Sequence, residues 1–145
     1  MDYPVKMMSA VQANALVNVD RGGLALQGYD PVAYFTERKP VKGRAGLRYD
    51  HEGTIYYFSS DINRSLFINS PSKYEPQFGG YCAYGVSRGK LVPVDVNAFQ
   101  IVNDRLLLQY STAVRDQFLQ DSQGNLKLAD QKWPTLVSTQ SKQGR

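Results

Sequence analysis

Between Leu47 and Asn69 the chain changes its hydrophobic period, and this change limits the folds open to it. Leu47-Arg48-Tyr49-Asp50 and Thr54 to Ser59 are rich in β-branched and aromatic residues, with His51-Glu52-Gly53 between them. Two such runs around a Glu-Gly turn predict a β-hairpin. Asp61 then offers an N-cap for a helix over Ile62 to Asn69, with Ile62 and Leu66 four apart and Phe67 beside them, stopped by Ser70-Pro71. A tight hairpin leaves no room for a crossover, so this stretch is not part of a parallel βαβ layout.

The flanks extend the pattern. Phe99 to Val102, Asn103-Asp104 and Arg105 to Tyr110 predict a second hairpin, its turn made by residues that tolerate positive φ. Val96 to Phe99 reads as a helical turn just before it. Ser111 caps a helix expected to carry Val114, Phe118 and Leu119 inward. After Gly124 a last helix places Leu126, Ala129 and Trp133 on one stripe, ending before Pro134. Upstream, Leu24-Ala25-Leu26 is a short apolar strand, Asp30-Pro31 a turn or helix start, 36–46 an exposed basic loop, and 71–80 a turn-rich connector. Residues 6–19 permit a weak helix, with Met7, Val11 and Ala15 on one side. No internal repeat is evident. The sum is an α+β fold: a hairpin followed by a short helix, a second hairpin, then C-terminal helices. The expected divisions are an N-terminal segment over 1–22, one domain over 23–137 and a flexible tail over 138–145.

Composition narrows the class. The 145 residues hold 17 Lys and Arg against 13 Asp and Glu, a formal charge of +4. The only local concentration is Arg38, Lys39, Lys42 and Arg44, and the many aromatics fall at strand positions such as Tyr49, Tyr56 and Phe58. Nucleic-acid binding, which wants a basic stripe on a known module, is not expected. No apolar run is long enough to span a membrane. The start of the chain lacks a secretory signal pattern, and a single cysteine says nothing of redox compartment.

The candidates for chemistry are few. Cys82, within "GGYCAYGV", is a nucleophile only with a base such as His and a cation nearby; otherwise it is a small buried hydrophobe. His51, in the hairpin turn beside Asp50 and Glu52, is the one histidine. A closed zinc site needs four ligands, and Cys82 with His51 supplies two; Met7 and Met8 are further soft donors. Tyr29, Asp30, Tyr34, Tyr81 and Tyr84 would line a pocket if the two glycine-flanked segments meet. No phosphate loop, dinucleotide fingerprint, nucleophile elbow or paired metal-binding histidines are present.

"GYDPVAYF", "YDHEGTIYYFSS", "NRSLFINSPSKYEPQFGGYCAYGVSRGK" and "ADQKWP", in this order from Gly23 to Trp133, resemble the YHS-domain proteins in their longer bacterial form. The resemblance implies an α+β domain, usually exported to the periplasm in full-length form, with no known reaction. Cytoplasmic residence is the alternative location. Short YHS domains accompany metal transporters and resemble treble-clef-like metal sites with cysteines after the Asp-Pro and around the hairpin-to-helix junction. Here Ala33, Ser59 and Asn63 stand at those positions, and none is a good ligand for a soft metal. Two functional readings stay open. One is a non-catalytic domain for copper or zinc binding or sensing, with Cys82 and His51 as ligands. The other is a small-ligand or protein-interaction module with a tyrosine-lined surface and no metal.

Overall fold

The computed structural model describes residues 16–143. Strands β1 (Arg44–His51) and β2 (Thr54–Phe58) form the first hairpin. Glu52 and Gly53 both have positive φ, 52° and 87°, the tight-turn geometry that matches strand twist. Ahead of it a short helix α1 spans Ala33–Thr36, and behind it α2 spans Asp61–Asn69. The cap of α2 is Ser60 rather than Asp61: the Ser60 hydroxyl accepts from the Asn63 amide, while Asp61 in the first turn pairs with Arg64 at 3.0 Å. The inward face also differs from the expected one. Phe67 is fully buried among Tyr56, Phe58 and Tyr49, whereas Ile62 is 72% exposed and Leu66 lies at the edge. The hairpin meets α2 on the Asn63–Phe67 side, so the Ile62–Leu66 pair is turned out.

Asp30 joins these elements. Its side chain is fully buried, and Oδ1 accepts from the amides of Val32 at 2.9 Å and Ala33 at 3.3 Å, at the entry to α1. Oδ2 accepts from the Ser59 amide at 2.8 Å, the Ser59 hydroxyl at 2.7 Å and the Asn63 side chain at 2.8 Å. One carboxylate thus binds the start of α1, the end of β2 and the first turn of α2.

The second half of the chain repeats this design about fifty residues later, which the residue identities conceal. Leu26, Gln27 and Gly28 form a left-handed turn with φ of 56°, 53° and 85°, and Phe78, Gly79 and Gly80 form another with 57°, 61° and 80°. After each comes a Tyr: Tyr29 donates to the Leu26 carbonyl and Tyr81 to that of Phe78. Next, the Asp30 amide donates to Val41 and the Cys82 amide to Val92. A short helix follows each, α1 in the first half and α4 (Ala83–Ser87) in the second.

The hairpins correspond as well. β3 (Asp95–Val102) and β4 (Arg105–Gln109) have the lengths of β1 and β2, joined by Asn103 and Asp104 at positive φ. Both hairpins slip register at the same point, between Arg44 and Arg48 in one and between Asp95 and Phe99 in the other. Each then ends in a serine that caps a helix, Ser60 for α2 and Ser111 for α5 (Thr112–Leu119). Cys82 occupies the place of Asp30: its sulfur accepts from Gly85 at 3.4 Å and from Tyr110 at 3.3 Å, the counterparts of Ala33 and Ser59.

The remaining expectations divide. Val96 to Phe99 belongs to β3, not to a helical turn, because Asp95 already pairs with Gln109. The connector contains α3 (Pro71–Tyr74) and the second left-handed turn. Phe118 is buried but Leu119 is 53% exposed. The last helix, α6 (Ser122–Gln143), passes through Pro134 and covers the first part of the expected tail. Pro134 removes one backbone donor, and the carbonyl it frees, on exposed Asp130, is open to water. The proposed helix over 6–19 falls mostly outside the described residues; Val19 pairs with Ala25 in an isolated bridge. Two apolar clusters result, and β4 separates them: Leu106 and Leu108 point into the first with Phe58 and Phe67, Leu107 into the second with Phe118 and Leu126.

Removing the Asp30 carboxylate leaves five donors without their shared acceptor. Asp30→Ala is expected to lower stability by about 3–5 kcal/mol. Urea unfolding checks it, with Asp30→Asn, which keeps one acceptor oxygen, falling in between.

Candidate functional site

Cys82 and His51 lie on different hairpin units and share no partner. Cys82 is 1% exposed. It caps α4, bridges to Leu108 of β4, and its thiol donates to Gln109 Oε1 at 3.3 Å. Gln109 continues to Gln100 through a 2.7 Å bond. This is the environment of a structural thiol, with no base beside it among the described residues. His51 closes β1 and is held by the Tyr49 and Phe67 rings, with Nε2 3.4 Å from Glu52 and 3.9 Å from Glu75. Among the described residues no group of three or more His, Cys, Asp or Glu is arranged to hold a metal ion. Met7 and Met8 lie outside the described residues.

The region around His51 has its own electrostatics. Burial pushes the Glu75 carboxyl above the usual range; the His51 imidazole draws it back and the Glu52 charge adds to the rise. Burial, followed by the Glu75 and Glu52 charges, raises the Tyr56 phenol.

The five residues nominated for a tyrosine pocket do not share one. Asp30 and Tyr34 are fully enclosed. Tyr34 packs against Phe99 with the rings tilted and their centroids 4.9 Å apart, and donates to the Val96 carbonyl at 2.8 Å, and burial raises its phenol, helped by Tyr29, Asp95 and Asp30. Tyr29 packs with Tyr34 on the first cluster, whereas Tyr81 and Tyr84 pack on the second. A well-filled core stands where the pocket was expected. The Tyr84 hydroxyl meets Arg88 and Gln117 at 3.1 Å each, on the surface.

The open space lies elsewhere, where the halves meet. A groove of about 370 Å³ is bounded by Asn18, Val19 and Asp20 on one side. The first left-handed turn contributes Leu24 to Gln27, the second contributes Pro76, Gly79 and Gly80, and β3 with the residue before it contributes Val96 and Val94. Equivalent segments of the two halves therefore face the same space. They are held there by Asn18, whose amide donates to Gly79 and whose side chain donates to Gly80 at 3.2 Å. Gly79 is required on two counts: its φ is left-handed, and a Cβ on it would overlap the Leu16 carbonyl oxygen. Leu26 and Phe78 accept the same left-handed geometry without being glycine, and each buries its side chain in its own half's cluster.

The sequence offered little sign of this groove. Its lining is mostly aliphatic, and the signal that could have found it, a recurrence of Gly-Tyr before Asp30 and before Cys82, is two residues long. A second depression of about 320 Å³ lies beside α6. Its Arg105 and Asp130 are joined at 2.7 Å, and this bond holds the Arg105 guanidinium above its usual range. No family model, curated protein or solved structure matches the chain.

Two outcomes test this description. Alkylation of Cys82 by N-ethylmaleimide at neutral pH should be about a thousandfold slower in the native protein than in strong denaturant, because access requires unfolding; fast native labelling would contradict a capped, buried thiol. A carboxyl whose pKa is raised by folding stabilises below its unfolded value, and that stability is lost as pH rises through the folded value. Glu75→Gln should therefore gain stability relative to the parent at neutral pH and show no such gain at pH below the ordinary glutamate range, in urea titrations at both pH values.

Proposed function

We propose that this chain is a non-catalytic, YHS-like binding domain that takes a small molecule in the groove between its two halves, without a metal. The groove carries the reading: its volume falls in the range of about 300–1,000 Å³ common for ligand pockets, it is largely apolar, and it sits at an interface between structural units. Its rims are the two turns of left-handed backbone, a conformation that costs non-glycine residues about 1–2 kcal/mol each and gathers at ligand clamps.

The YHS resemblance draws support from Asp30. Ala33, Ser59 and Asn63, the positions of cysteines in short metal-binding members, converge on this one carboxylate. Ala33 reaches it through its backbone amide and Ser59 and Asn63 through their side chains, so in this chain these positions serve hydrogen bonds. Cys82 and His51 lie on different hairpin units, and no metal-holding group of three or more His, Cys, Asp or Glu is found among the described residues, which weighs against the metal reading.

Val19 is 38% exposed and lines the groove, so Val19→Trp fills the space without disturbing the core. Titration with cyclohexanol, followed by amide chemical shifts, should move residues 18–27 and 76–80 in the parent. The variant should bind it at least about tenfold more weakly at unchanged melting temperature. Shifts confined to other regions would overturn the proposal.

A further inference from the structure

Resting on the groove reading, we infer that the groove selects a small organic cation: an ammonium head on an aliphatic body. The chain carries a net +4, yet among the described residues no Lys, Arg or His lines this space, and the one titratable side chain among them that does is Asp20. The concentration of exposed cations at Arg38, Lys39, Lys42, Arg44 and Arg48 belongs to the loop and strand β1, and none of them lines it.

The Asp20 carboxylate is oriented by the turn it closes. Its Oδ1 accepts from the Gly22 and Leu24 amides at 2.9 Å each. Neither bond uses Oδ2, which is left for a ligand donor. Asn18 is oriented beside it: one Nδ2 hydrogen is engaged by the Gly80 carbonyl, and its Oδ1 is a further acceptor for a ligand. The polar end of the groove thus offers acceptors and negative charge. The remainder is mostly aliphatic, with Val19, Leu24, Leu26, Pro76, Val94 and Val96, and Gln27 is its one other polar side chain, uncharged. An anionic head would meet a carboxylate with no compensating cation, whereas an ammonium gains a charge-assisted bond. With no aromatic side chain among the described residues that line it, a cation–π cage is not what holds the head.

Three probes with one apolar body separate the possibilities: cyclohexylmethylammonium, cyclohexylmethanol and cyclohexanecarboxylate, titrated into the full chain at low and moderate salt. The ammonium should bind about tenfold more tightly than the alcohol, and the carboxylate more weakly than either. Raising salt should shrink the ammonium's advantage. Asp20→Asn keeps the Oδ1 acceptor for the turn, so it should fold as the parent does, and in it the ammonium and alcohol should bind within about twofold of each other. Equal binding of all three probes in the parent would leave the groove a ligand site and overturn the charge selection. Tighter binding of the carboxylate would overturn it too. Failure of every probe to shift the groove residues would overturn the groove reading itself, and the inference with it.

Discussion

Asp30 is a buried carboxylate with no ion-pair partner among the described residues, and the first half of the fold depends on how it is satisfied. Desolvating such a group costs several kcal/mol unless hydrogen bonds replace the lost water. Five donors do so, drawn from α1, the end of β2 and α2. Since these donors belong to three separate elements, satisfying the charge fixes their relative positions. The arrangement of helix and hairpin is the geometry in which this carboxylate has its full set of partners.

The second half solves the same problem with different chemistry. Cys82 takes two of the equivalent backbone amides on a sulfur, a weaker acceptor, and its surroundings add the amide pair Gln109–Gln100. The positions matching Gln109 and Gln100 in the first half hold Phe58 and Tyr49, part of an aromatic cluster. Corresponding backbone elements thus enclose a carboxylate junction in one half and a thiol–amide one in the other. This explains why the halves resemble each other in hydrogen bonding and hardly at all in residues. The clusters they build are separated by β4, whose leucines alternate between them, so the core of the first half is completed by Leu106 and Leu108 of the second.

The groove follows from this doubling. Each half opens with a left-handed turn whose first residue, Leu26 or Phe78, anchors its own cluster. With both anchors turned inward, the backbones of the turns face one another across a space that neither has side chains to fill. Asn18 and Leu16 then hold the second turn in place. The groove is therefore a product of the meeting of two similarly built halves, and its aliphatic walls are set by residues from both.

Much of the fold was legible in local chemistry. Glu52-Gly53 and Asn103-Asp104 announced tight hairpins because few residues accept positive φ, and serine or aspartate ahead of an apolar run announced a helix start. The errors came where a local rule met a tertiary choice: Asp61 against Ser60 as cap, Ile62 against Phe67 as the inward residue, Pro134 as a stop. The nominated site was less legible, since tyrosines and a lone cysteine look alike whether they line a pocket or fill a core. By itself the sequence determined the α+β class, both hairpins and the helices after them, because turn and capping preferences act over a few residues. Only the tertiary structure decided that Ser59 and Asn63 serve Asp30, that Cys82 is its counterpart, and that two distant turns face one groove. Those relations join residues tens of positions apart, through backbone amides that every residue type carries except proline.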